Sequence, residues 1–164
     1  MYKYIVLAVI VIIILILVSY QWYKMNTASG LNAQIMAGAT KINLSAAQIS
    51  ATLNQYQLAG DKAVASCKNT PTSSEFTKTW VLKTLQIQGY RSQLGELTAL
   101  ADVLFQQRQT VEVMSKAAGL QRGFIVKELL GLEGSVRNIA TRIEKLGLDI
   151  EKDLKPSSVP ALCK

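Results

Sequence analysis

The chain of 164 residues has no histidine, only two cysteines and three prolines, and no block of five or six like charges. Without histidine it lacks the commonest general base and the commonest metal ligand. Two cysteines are too few for the usual structural zinc sites, which draw on four cysteines or on cysteines with histidines. The eighteen lysines and arginines exceed the eleven acidic residues and give a formal charge of +7. The basic residues are scattered singly, however, with no interleaved aromatics to stack bases, so a nucleic-acid partner is not expected. No glycine-rich phosphate loop follows a strand pattern, and Gly119 and Gly123 stand at GxxxG spacing in a polar stretch, outside the apolar 20-mer that gives that motif its membrane-dimer meaning. Carboxylates between Glu128 and Asp153 fall mostly on the face opposite an aliphatic seam, where a solvated surface is the simpler reading than an acid-base pair. No catalytic residue, cofactor or metal site is assigned, and an enzyme is not expected.

What the sequence does have is a charge-free run from Tyr4 to Tyr23, whose centre from Ile5 to Val18 contains only Ile, Val, Leu and Ala. About 20 apolar residues at 1.5 Å rise each suffice to cross a bilayer. The reading is a single-pass transmembrane anchor over 1–24, with Tyr20, Trp22, Tyr23 and Lys24 at the membrane interface. A cleaved signal peptide is the rival, with Ala28, Ser29 and Gly30 as a cleavage site, but the run exceeds the 7 to 15 residues of such cores. The amino terminus is placed inside and the helical domain outside the cytosol, or on the protein-shell side of a viral membrane, with the lipid bilayer as a partner.

After a short joint over 25–30 a helical rhythm begins. Ile35, Ala39, Ile42, Ala46, Ile49, Leu53, Tyr56, Gly60 and Ala63 recur at alternating steps of four and three, a heptad seam whose small residues allow a neighbouring helix to approach closely. The stretch 67–74 interrupts it with turn formers and Pro71, and Thr72 to Glu75 has capping-box spacing. A second seam runs from Phe76 through Trp80, Lys83, Ile87, Tyr90, Leu94, Leu97, Ala101, Leu104, Arg108 and Val111 to Ser115 and Ala118. Val81, Leu85, Leu100 and Phe105 flank it and predict a wide apolar face. The third seam is purely aliphatic: Ile125, Leu129, Leu132, Val136, Ile139, Ile143, Leu146 and Ile150. Pro156 stops it and 156–164 is a tail.

Two all-α architectures compete for the region after residue 75. The heptad frame of Phe76 continues to Ile150 without a skip, which suits one long coiled-coil helix. Arg108, Ser115, Ala118 and Arg122 fill that frame poorly in its middle, beside two glycines that each cost a helix about 1 kcal/mol relative to alanine. A turn near Gly119 to Gly123 accounts for both and predicts an elongated antiparallel three-helix bundle over 31–155, with helices at 31–66, 75–118 and 123–155. Arg108 and Arg122 then belong to a local turn, or else are buried cations that select a register. In the bundle Cys67 and Cys163 come to the same distal end, where a disulfide can form; in the rod they are two unrelated thiols held beyond the roughly 7 Å Cα limit for a bridge.

The function this layout suggests is mechanical. It is a membrane-anchored helical scaffold that mediates protein assembly, in a virus particle as a minor membrane component or in an envelope or secretion complex. Other proteins of the assembly, and further copies of the chain, are the expected partners. The low-charge first helix offers Gln34, Gln48, Gln55 and Gln57 as contacts. The alternative is a sensor or ligand-binding ectodomain that acts through a partner.

Overall fold

A computed structural model of the protein describes residues 2–25, 27–67, 73–117 and 122–154, with side chains described at 10–20, 22–23, 27–67, 75–114 and 123–154. Four α-helices, α1 (Tyr2–Met25), α2 (Ala28–Cys67), α3 (Ser73–Ala117) and α4 (Arg122–Asp153), account for nearly all of it, and no strand occurs among the described residues.

The ends of these helices follow local chemistry. The Thr27 hydroxyl accepts a bond from the Gly30 amide at 3.4 Å, and the Leu31 amide donates to the Thr27 carbonyl at 3.0 Å. Threonine in this role satisfies donors that a helix start leaves orphaned, so α2 begins three residues earlier than the seam alone predicts. Glu75 lies in the first turn of α3, where a carboxylate meets the positive end of the helix dipole. Thr72, the other half of the expected capping box, lies outside the described residues, as do residues 118–121, where the sequence leads one to expect a turn.

α3 and α4 are separate helices, which rules out the continuous rod. Lys83 donates to the Asp153 carbonyl at 3.3 Å, while the far half of α3, at Val103 and Val111, adjoins Glu128 and Leu132. The two helices therefore run in opposite directions. α2 and α3 are likewise antiparallel: Trp80 Nε1 donates to Asp61 Oδ1 at 3.2 Å and Arg91 to Asn54 Oδ1 at 2.7 Å. α2 and α4 run parallel, with Gly38 beside Val136 and Gly147 beside Ile49.

One hydrophobic core joins the three helices. Its inner side chains are Ile35, Ile42, Leu53, Ile87, Ile143 and Ile150, each with at most 1% of its surface exposed. The α2 and α4 seams are buried or half-buried at every position read from the sequence. α3 differs. Val81, Leu85 and Leu100 are about half exposed or more (54%, 59% and 48%), so its buried stripe is narrower than its apolar composition predicts. They sit on the side of α3 that faces neither α2 nor α4.

Among the described residues α1 meets α2 and no other helix. Among the described residues no helix is long and apolar enough to cross a membrane. The transmembrane anchor, the orientation with the amino terminus inside and the domain outside the cytosol, and the bilayer as a partner are corrected accordingly.

Candidate interaction surface

α1 presents consecutive aliphatic side chains on all sides. From Ile10 to Val18 every residue is exposed by 47% to 61% of its surface. Tyr20, Trp22 and Tyr23 follow at 62%, 72% and 62%, whereas the side chain of Lys24 lies outside those described. Once the membrane span is withdrawn, these aromatics stand as exposed rings and no longer mark a headgroup level. Single exposed aliphatics are ordinary on a protein surface, but a contiguous row of them marks a site that another molecule covers.

A second feature is the groove between α2 and α4, about 400 Å³ in volume, with Ile49, Ile143 and Ile150 at its floor and Ser45, Gln48, Thr52, Glu144 and Glu151 around them. It exists because the two helices are parallel and meet through small residues. A methyl group added at Gly38 would stand 2.5 Å from Val136 Cγ1, and one at Gly147 would touch Ile49 at 3.5 Å. Lys41 and Glu144 pair across the helices at 2.6 Å with more than half and nearly half of their side chains exposed, at 58% and 48%. Water screens such a pair strongly.

The four glutamines do not form one face. Gln34, Gln48 and Gln55 are separated by whole heptads (34 + 14 = 48, 48 + 7 = 55) and share a stripe of α2, of which Gln48 lines the groove. Gln57, two residues beyond Gln55, stands about 200° around the helix at 100° per residue. Gln34 and Gln57 are half-buried, while Gln48 and Gln55 are exposed.

Polar side chains tie the helices near both ends of α4. At one end Arg108, with 15% of its side chain exposed, donates through Nε to Asn32 Oδ1 on α2 and through Nη2 to Glu112 Oε2 at 3.1 Å. Arg108 is thus a half-buried, paired cation within α3, so it belongs to no local turn. At the other end Asp153 accepts from Tyr90 Oη at 2.6 Å and from Gln86 Nε2 at 3.0 Å. Burial, and then this hydrogen bond to the Asp153 carboxylate, push the Tyr90 phenol above its ordinary value. Asp153 comes three residues after Ile150, a nominal continuation of the α4 seam at the residue where the helix ends, and the seam alone gives it no partner. Tyr90 at a seam position, with a hydroxyl that needs a partner, was the signal that could have found it.

No protein-family model, curated protein or solved structure matches the chain. Any reading of function therefore rests on the geometry alone. Among the described residues no cluster of three His, Cys, Asp or Glu is arranged to hold a metal, and no buried side-chain nitrogen or oxygen lacks a partner. Cys67 is 2% exposed and disulfide-bonded, and the chain's one other cysteine, Cys163, lies outside the described residues.

Proposed function

We propose that the protein is a helical scaffold for protein assembly. In this reading α2, α3 and α4 form an elongated antiparallel three-helix bundle, α1 is the docking arm, and the α2 stripe of Gln34, Gln48 and Gln55 is a second contact surface. The observation that carries the proposal is the run from Ile10 to Val18, exposed on every side of a helix that meets no part of the core except α2. A helix apolar all round is stable only when something covers it. The bundle supplies the complementary property. Among the described residues its core is continuous, no buried side-chain nitrogen or oxygen lacks a partner, and its surface offers a shallow groove.

Site-specific photocrosslinking in the native source tests this, with the reactive side chain placed at Ile14 and, separately, at Gln48. The expected result is a discrete adduct with a protein chain at both positions, either another copy or a different protein. Adducts with lipid alone at position 14 and none at 48 would overturn the proposal.

A further inference from the structure

The outer side of α3 carries a second seam. Lys78, Leu82, Leu85, Gly89, Ser92 and Glu96 follow one another at alternating steps of four and three, about half a turn around the helix from the buried Ile87, and all six are exposed. Leu82 and Leu85 are 69% and 59% exposed, and a methyl group added at Gly89 would meet nothing within 4 Å. The seam is therefore bulky toward one end, small toward the other, and bounded by one cation and one anion.

That order makes the seam complementary to itself when it is turned end for end. With two seams antiparallel and residue 87 as the midpoint, position 85 meets 89, 82 meets 92 and 78 meets 96. Each leucine then stands over glycine or serine, where there is room for it, and each lysine stands over a carboxylate. Other alignments lose this fit. A parallel pair in register sets lysine on lysine and glutamate on glutamate. An antiparallel pair slid by one heptad puts Lys78 opposite Gly89 or Val103, with no carboxylate facing it. Thr79, Val81, Gln86, Gln88, Gln93 and Gly95 stand beside the seam, and none is charged, so no like charges oppose along its flanks. Among the described residues neither Lys78 nor Glu96 forms an ion pair; Arg142 and Lys145 of α4 line a shallow groove with Glu96 without pairing with it.

We propose that two copies of the chain pair through the outer faces of α3, antiparallel about a twofold axis level with Ile87. Leu85 of each copy packs on the partner's Gly89, Leu82 on the partner's Ser92, and Lys78 meets the partner's Glu96. A contact of one helix per copy is small, so the pair is weak and exchanges readily. It uses no part of α1 and stands or falls separately from the docking arm.

Carbodiimide coupling of the full chain tests the pairing, with equal parts of unlabelled and nitrogen-15 protein mixed beforehand. Within one copy Lys78 and Glu96 are 18 residues apart on one helix (96 − 78), about 27 Å, which a direct amide bond cannot span. The expected product is a Lys78 to Glu96 amide whose mixed-isotope peptide pairs show that it joins two copies. Gly89→Leu fills the space that Leu85 needs while favouring the helix itself, and should cut the yield of this product about tenfold or more. Gly131→Leu, at an equally open glycine of α4, should leave the yield unchanged. The absence of a Lys78 to Glu96 linkage between copies would overturn the proposal, and so would equal yields from the Gly89→Leu and Gly131→Leu proteins.

Discussion

Replacing Gly60 with alanine sets a local gain against a tertiary loss. Within a helix alanine is favoured over glycine by about 0.8 to 1 kcal/mol. At Gly60 the new methyl group would lie 1.8 Å from Trp80 Cη2 and 2.0 Å from Cζ2, far inside van der Waals contact. Trp80 cannot withdraw freely. It is 6% exposed, its ring lies 5.8 Å from that of Tyr56, and its Nε1 donates to Asp61. Restoring contact distance moves the ring by more than 1.5 Å, which breaks the indole hydrogen bond at about 1 kcal/mol and overpacks the core at about 1 to 3 kcal/mol. The net expectation for Gly60→Ala is a loss of about 1 to 3 kcal/mol, or a fall of several degrees in Tm for a domain of this size. Gly95, which has nothing within 4 Å of an added methyl, is the control, and Gly95→Ala should gain about 0.5 to 1 kcal/mol. Urea unfolding followed by far-ultraviolet circular dichroism measures both. If Gly60→Ala proves as stable as Gly95→Ala, the close approach of α2 and α3 at Trp80 is wrong.

Other perturbations separate the remaining interactions. Asn32→Ala leaves the enclosed Arg108 guanidinium with one acceptor fewer and should cost about 1 to 2 kcal/mol, whereas Arg108→Met, which removes the charge with its need for partners, should change stability by less than about 1 kcal/mol; equal losses in urea titrations would contradict this. Lys41→Ala removes an exposed pair and should cost no more than about 0.5 kcal/mol, with no further loss in high salt. For Tyr90 the folded phenol titrates above its unfolded value of 10.0. The protonated hydroxyl therefore contributes its full stability below about pH 10, and that contribution is lost as pH rises through the raised folded value. In thermal melts between pH 8 and 11 the gap between wild type and Tyr90→Phe should narrow only at the alkaline end, and a constant gap would refute the assignment.

The aliphatic periodicities made the α2 and α4 faces legible, because a heptad seam and a buried stripe are the same fact seen in one and in three dimensions. The break between α3 and α4 was legible too, through the poor filling of the frame around Gly119 and Gly123. The start of α2 was not, since one threonine decides it and seam counting gives capping residues no weight. Nor was the exposure of Val81, Leu85 and Leu100, because composition shows how apolar a helix is without showing how many neighbours it has. Of the interaction surface, the apolar run of α1 was plain, but its interpretation as a bilayer span did not survive. Of the four glutamines expected to make contacts, Gln34, Gln48 and Gln55 share one stripe of α2 and Gln57 does not.

A heptad seam has a weakness that the polar ties between helices address. Slide α3 along α2 by seven residues, about 10 Å, and aliphatic still meets aliphatic, so burial alone separates the correct alignment from its neighbours only weakly. The pairs Asn32 with Arg108, Asn54 with Arg91 and Asp61 with Trp80 act as teeth of a comb, since they can engage together in one alignment only. A slip strands a guanidinium against apolar surface, a penalty of the kind that empties a competing state. The aliphatic residues thus make the chain collapse, and these few polar ones choose which of several nearly equal collapsed arrangements is occupied.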